Sequence, residues 1–475
     1  MPLPVTPAND AIILRPHPST WSTLAQGNFA RAAADADIRA FRAELSIATD
    51  RPVLISGHQA MLWHPGILAK WLAMNVAADS IGTCETIWLS VDQDDNDGAS
   101  LRAPVRREGT LRGLDIKLDS PLAAPGTPTG CRPTARSGPL TAAIRDDDIT
   151  PPSVRAHIPY LAQALDYFSS TSSLAEQMTL TTAKFLRWFE LERSTPAELL
   201  FSSDLSKTTA FKGILSRMIS DPASCVATYN QAVLHAADAD LRPLTVSSTR
   251  NRFELPLWLL RTGEPRRKIY SDELASLSES DRARLAPRAL LMTGLIRAFG
   301  CDLFIHGTGG EKYDLATERW FASWLGLTLA PKVAASATLT LPLADGPIPT
   351  PSHVAKAAWR LQHARHHPAA LNLPDLQKRK DFLVVAINDA KLNKQDPRPL
   401  YRDLSALLDQ ARIDGAPELS RLQHQFALAR QGLAESSLTT DRTWPFMLYS
   451  REALTALNDS IRAQFQSAPA PSHSA

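Results

Sequence analysis

Cysteine is scarce in this chain: Cys84, Cys131, Cys225 and Cys301 are its four, widely separated and without a CxxC pair. Such spacing argues against a structural zinc site or a disulfide framework and fits a reducing, cytoplasmic setting. Long apolar runs are missing too. No uninterrupted stretch approaches the roughly 20 residues that cross a bilayer, and the opening MPLPVTPAND lacks the cationic start and apolar centre of a signal peptide. Neither sign of charge dominates, since 51 basic against 49 acidic side chains leave +2. So small a surplus argues against a dedicated nucleic-acid or anionic-membrane surface, while permitting a local basic patch. Glycine, at 21, is outnumbered by 35 prolines, which cluster in the connections and predict stiff loops. No internal repeat of solenoid period is present.

The composition that remains, 44% hydrophobic and 21% charged, is that of an ordinary globular chain. Residues 29–48 carry apolar side chains at intervals of three and four and predict one amphipathic helix. RPVLISG, bounded by Pro52 and Gly57, predicts a buried strand; Pro65-Gly66 opens a helix over ILAKWLAMNVAADSI; TIWLSV (86–91) predicts a second strand. Strand, turn, helix and strand within about 40 residues have the size of a βαβ unit. Residues 103–153, rich in Pro, Gly and Arg, read as an insertion with one hairpin. Helical patterns resume over 155–192 and 208–240, with a strand at ELLFSSDLS (198–206) between them and a strand pair in 251–270. Residues 289–300 predict a helix closed by Gly300, and CDLFIHGTGGEKYD repeats the grammar of strand, glycine-rich turn and helix. Beyond 345 the chain predicts charged helices packed as hairpins, ending in the tail QSAPAPSHSA. The expected class is α/β, a Rossmann-like parallel sheet core with inserted segments and a C-terminal helical hairpin or coiled-coil region. Its parts are a core over 1–345 with insertions near 103–153 and 241–285, a helical domain over 346–465, and a disordered tail over 466–475.

Ligands of open parallel sheets bind beyond the carboxyl ends of the strands. Three such ends here are polar: GHQAMLWHPG with His58, Gln59 and His64; DQDDND with Asp92, Asp94, Asp95 and Asp97; and HGTGGEKYD with His306, Gly307, Gly309, Gly310, Glu311 and Tyr313. Glycines and a helix start favour an anion, histidines contact phosphate or move protons near neutral pH, and carboxylates hold an amine or a divalent ion. Asp92 and Asp95 lie nearest the strand end and are the preferred acids. Each feature also has a plainer reading: a hydrogen-bonded structural histidine, a solvated Asx turn, or glycines that merely turn the chain. HARHH (363–367) reads as an exposed helix end, RRK (266–268) as a solvated hairpin, and Trp320 with Trp324 as core. GxGxxG, GxxxxGK[ST] and GxSxG patterns are absent. No metal ligand set is expected.

VLISGHQAMLWHPGILAKWLAM, TIWLSVDQDD and PRALLMTGLIRAFGCDLFIHGTGGEKYD together resemble blocks of the bacillithiol biosynthesis cysteine-adding enzymes, over residues 29 to 325. The resemblance implies a core related to nucleotidyltransferases and class I aminoacyl-tRNA synthetases. It also implies joining of cysteine to the amino group of glucosaminyl-malate. Gly57, Gln59, Asp95, Gly307 and Glu311 match the family's turns; His58 stands for a glutamine, Asp92 for a glutamate and Asp94 for a histidine. HPG, with His64, replaces a glycine–proline step, and Met292 stands where an arginine is usual.

The leading expectation is therefore a ligase-like enzyme forming an amide between an amino acid and a small-molecule amine. His58 and His64 would stabilise a transferring phosphate, Asp92 and Asp95 would orient or deprotonate the amine, and Glu311 would position a polar group. Gly57, Gln59, His306, Gly307, Gly309, Gly310 and Tyr313 would bind substrate. No resident cofactor is read from the residues, and ATP or ADP with Mg²⁺ is left open as a co-substrate. A nucleotidyltransferase and a non-catalytic metabolite-binding assembly protein are the alternatives. The expected partner is a small molecule rather than nucleic acid or membrane, with a homodimer through the C-terminal helices.

Overall fold

Four apolar runs, VLIS, IWLS, LFIH and VAAS, are too short for helices and too continuous for a solvated sheet face. In the computed structural model they are central to a six-stranded sheet. Residues 12–118, 123–145, 148–236, 241–247, 251–344 and 348–467 are described. The core elements, in chain order, are β1 (Ile12–Arg15), β2 (Val53–Gln59), α1 (Pro65–Ile81), β3 (Glu85–Val91), β4 (Glu198–Phe201), α2 (Ala289–Leu295), β5 (Leu303–His306), α3 (Gly310–Leu325) and β6 (Lys332–Ala337). The strand order is β1-β6-β5-β2-β3-β4, with only β1 antiparallel. From β2 the chain builds outward to β3 and β4, then returns to lay β5 on the other side of β2 and β6 beyond it. That is the doubly wound Rossmann order, whose reversal falls between β2 and β5.

The helix α1 explains its own position. Its residues are apolar on all sides and 14 of its 17 are buried, so it must be covered on every face. The helices Trp21–Ala32 and Arg451–Gln466 pack against it, as do the strands beneath. A second buried anchor lies under the sheet's opposite end. Asp302, wholly buried, accepts from Asn28 Nδ2 at 3.1 Å and from the Val53 amide at 2.9 Å, and pairs with the Arg42 guanidinium at 3.0 Å. One carboxylate thus ties two N-terminal helices to the first residue of β2.

Some local expectations change. The single helix expected over 29–48 is two, Trp21–Ala32 and Ala36–Glu44, because Asp35 caps the second by accepting from the amides of Asp37 and Ile38. The hairpin of the first insertion is Ser100–Arg107 with Thr110–Lys117, turned by Glu108 and Gly109, both at positive φ. A separate sheet forms where Arg252–Leu259 pairs with Val246–Ser247, Arg267–Tyr270 and Leu285–Pro287. The tail expected over 466–475 lies outside the described residues from 468 on, and Gln466 still belongs to a helix.

Contacts divide the chain into two compact units. The first falls within Met1–Ala103, Leu114–Leu341 and Arg442–Ala475; the second within Pro104–Gly113 and Pro342–Asp441. The second unit holds the helices Pro351–Ala364, Pro374–Leu392, Arg398–Asp414 and Ala416–Thr439, with a small core of Leu361, Ala364, Leu371 and Leu422. Its Glu435 is buried and accepts from the Leu111 amide at 3.0 Å and from Arg106 at 3.1 Å.

Removing the Asp302 carboxylate strands a buried guanidinium and an amide together. Asp302→Ala is expected to cost about 3–5 kcal/mol, read as a lower urea midpoint; an unchanged midpoint would show that the pair contributes nothing.

Candidate functional site

At the reversal point, the ends of β2 and β5 open a cavity of about 410 Å³. Pockets of this size suit small metabolites. Of the residues singled out in the sequence, Gly57, His58, Gln59, His64, His306, Gly307, Gly309, Gly310 and Tyr313 all line it. Two of the three polar strand ends therefore converge as expected.

The third does so only in part, and strand geometry says why. Side chains of β3 alternate, so Leu89, Val91 and Gln93 face the cavity while Ser90 and Asp92 face the other way. Asp92 is buried there and spends its carboxylate on the turn after β4: Oδ1 accepts from Ser202 Oγ at 2.8 Å and from the Ser203 amide at 3.0 Å, and Oδ2 accepts from Ser203 Oγ. Burial pushes the Asp92 carboxyl up, while the two serines draw it back. Asp95 is held by Arg266 at 2.7 Å outside the cavity. Glu311, on the first turn of α3, is half-exposed and pairs with Arg15 at 3.3 Å. Among the carboxylates of that acidic turn it is Asp94 that lines the cavity, clasped between Arg266 Nη1 at 2.7 Å and Gln59 Nε2 at 3.2 Å. Arg266, from the RRK stretch, lies over the Trp258 ring at 4.6 Å. Its guanidinium occupies both carboxylates of the wall expected to hold an amine.

Each histidine has a distinct position. His64 is the N-cap of α1, its Nδ1 accepting from the Gly66 amide at 3.0 Å with Pro65 at the first helical position. Beside it the turn is secured by Trp63, buried against Trp88 with ring centroids 4.2 Å apart. His58 has a buried Nδ1 without a hydrogen-bond partner among the described residues, and burial, then the neighbouring Lys70 charge, hold it well below its ordinary pKa. His306 is buried, with Nε2 2.8 Å from Asp314 Oδ2. Burial lowers its pKa, opposed by that carboxylate. Asp314 in turn is lifted by burial, but the His306 bond and the Arg297 guanidinium bring it below the usual carboxylate range. An acceptor at Nε2 assigns the proton to that nitrogen and leaves Nδ1 as the free base. Nδ1 is turned toward Gly310, where a Cβ would come within 2.5 Å of it.

Sequence reasoning missed Lys70. It lies in α1, is buried, and donates through Nζ to the Gly57 carbonyl while lining the cavity. Burial lowers its pKa to about 7. The signal was visible as a lone charge inside the apolar run ILAKWLAM. Asp314 was missed as well; it follows Tyr313 on α3 and reads as any helical acid until β5 places His306 beside it. Among the described residues no cluster of three or more His, Cys, Asp or Glu could hold a metal ion.

Two stability measurements follow. Lys70 binds its proton less tightly in the folded chain, at about 7, than at its ordinary 10.5. Between those values the unfolded chain carries the extra proton, so the stability due to Lys70 rises as pH climbs through that window. Lys70→Met should be more stable than the parent at pH 7, with the advantage shrinking toward pH 10; a constant difference would mean that Lys70 titrates normally. His64→Ala should lose about 0.5–2 kcal/mol with its cap, and His64→Asn should recover most of it; equal losses in both would place the role of His64 elsewhere.

No family model and no curated protein matches the chain. Among solved structures, tyrosyl-tRNA synthetase complexed with L-tyrosine from Archaeoglobus fulgidus is similar at 10% identity, over 86% of this chain and 98% of that one, with a TM-score of 0.28. Tyrosyl-tRNA synthetase from Aeropyrum pernix is similar at 12% identity over the same shares, with a TM-score of 0.25. Likeness this distant carries no weight for the chemistry. The Rossmann-like α/β core rests on strand order.

Proposed function

We propose that the cavity is the active site of an amide-forming ligase, joining the carboxyl group of an amino acid to the amine of a small acceptor. The resemblance of the three turns points to cysteine and to an acceptor such as glucosaminyl-malate. The observation that supports this most is the meeting, around one cavity, of a carboxylate-held neutral imidazole, a buried lysine and the glycine-lined start of a 16-residue helix.

An amine that attacks an activated carboxyl must shed a proton. His306 Nδ1 is the acceptor placed for it, because Nε2–H is committed to Asp314 and burial keeps the ring neutral. Asp92 and Asp95, given that role in the sequence, are occupied elsewhere. The anion that develops or departs meets the first amides of α3 and the Lys70 Nζ. In the balanced step the C–N bond forms, the bond from the carboxyl carbon to the leaving oxygen breaks with its electron pair going to that oxygen, and the amine proton passes to His306. Gly310 is required by space: any side chain there would meet His306 and the Tyr313 hydroxyl.

The reading is tested with purified protein, cysteine, glucosaminyl-malate, ATP and Mg²⁺, following the coupled amide and the nucleotide products by mass spectrometry. Amide formation is expected; AMP attached to a metabolite would instead indicate a nucleotidyltransferase, and binding without turnover an assembly protein. His306→Gln should lower kcat/KM by about 100-fold or more. Asp314→Asn should move the acid limb of the pH–rate profile to lower pH as well as slow the reaction, because the carboxylate that raises the His306 pKa is removed; loss of packing alone would not move that limb.

A further inference from the structure

The whole-chain balance of +2 conceals a local excess. Between residues 350 and 380 the sequence carries six Lys and Arg against a single acid, Asp375. The same stretch holds HARHH, which the cavity does not use. On the helix Pro351–Ala364, Trp359 is 63% exposed. Its ring is stacked on His363, with centroids 4.6 Å apart and planes 16° from parallel, and His363 is stacked on His367 at 3.8 Å and 15°. The far end of this column is fixed by Lys380, whose Nζ donates to the His366 carbonyl at 2.6 Å and lies 3.3 Å from His367 Nδ1. The outer face of Trp359 is therefore a held aromatic surface, and it lies outside the small core of this unit.

Cations stand beside it. At 100° per residue, Lys356 and Arg360 fall on the helix face next to Trp359, with Lys356 one turn before it. Both are exposed, and neither is ion-paired with a described residue. With His353 and Gln425 they line a hollow of about 390 Å³. We propose that this face binds a nucleotide, its base extending the column on Trp359 and its phosphate held by Lys356 and Arg360. Aromatic stacking accepts any base, and the neighbouring charges supply the sequence-independent attraction to phosphate. A second copy of the chain fits less well: a two-fold contact through this patch would set Lys356 and Arg360 against their own like charges.

The same base-plus-phosphate chemistry is offered by a single-stranded RNA and by a free nucleotide. Fluorescein-labelled 12-mer oligoadenylate is titrated with the full chain at 50 and 200 mM salt and followed by anisotropy; unlabelled oligoadenylate and ATP serve as competitors. Saturable, salt-weakened binding is expected. Trp359→Ala should weaken it by about 10–100-fold, and the double variant Lys356→Glu, Arg360→Glu should also flatten the salt dependence by about 1.4. Displacement by ATP at concentrations matching the oligonucleotide assigns the site to free nucleotide; displacement by the oligonucleotide alone assigns it to a strand. The proposal is overturned if neither ligand binds, or if binding survives Trp359→Ala, as it would for nucleotide held in the cavity of the first unit. Dissociation of a dimer by Trp359→Ala in sedimentation, without nucleotide binding, would likewise overturn it in favour of self-association.

Discussion

The site depends on one constraint, the reversal of chain direction beside β2. Parallel strands laid outward in both directions from a central one leave a crevice where their following turns part. Here that crevice receives the turn before α1 and the turn before α3, so residues more than two hundred positions apart in sequence share one wall. The reversal itself requires β2 and β5 to stay in register, which the Ser56 hydroxyl supports by donating to the Ile305 carbonyl at 2.8 Å. On the other side of β2, Gly57 lets β3 approach: a Cβ there would lie 2.3 Å from the carbonyl oxygen of its strand partner Leu89.

Within that crevice the electrostatics run against a simple division into acidic and basic walls. The acidic turn after β3 is spent on structure. Asp92 fastens the serine turn after β4, and Asp94 and Asp95 are both engaged by Arg266. Besides Asp94, the interior is lined by three histidines, Lys70 and the glycine turn before α3. Burial holds His58 and His306 neutral and brings Lys70 to about 7, so near neutral pH the lysine is present both with and without its proton. The arrangement is thus suited to moving protons, with a helix start providing the fixed polarity.

Much of the sheet was legible in the sequence because buried parallel strands have no polar face and cannot be confused with amphipathic helices. The two turns at the reversal were legible for the same reason: histidine and glycine interrupted runs that were otherwise apolar. The acidic turn is less legible, because nearness to a strand end does not fix which way a side chain faces. Asp92 directly follows the strand, yet alternation along β3 sends it to the opposite side from Gln93. The expected helix over 29–48 broke at Asp35, whose side chain satisfies the amides that begin a new helix. Asp314 could not be found by pattern, since only the packing of α3 on β5 brings it to His306. Lys70 could have been found, as a charge that an all-apolar helix has no structural reason to carry.

The Arg266 clasp has a wider effect. This arginine comes from the second, smaller sheet, where its neighbour Arg267 is the first residue of the strand Arg267–Tyr270. Its one guanidinium is shared between Asp94 and Asp95, so the carboxylate that lines the crevice is held by a residue outside the lining. The smaller sheet thus orients a side chain of a crevice it does not itself line, so a shift of that sheet would be felt there as a turned carboxylate.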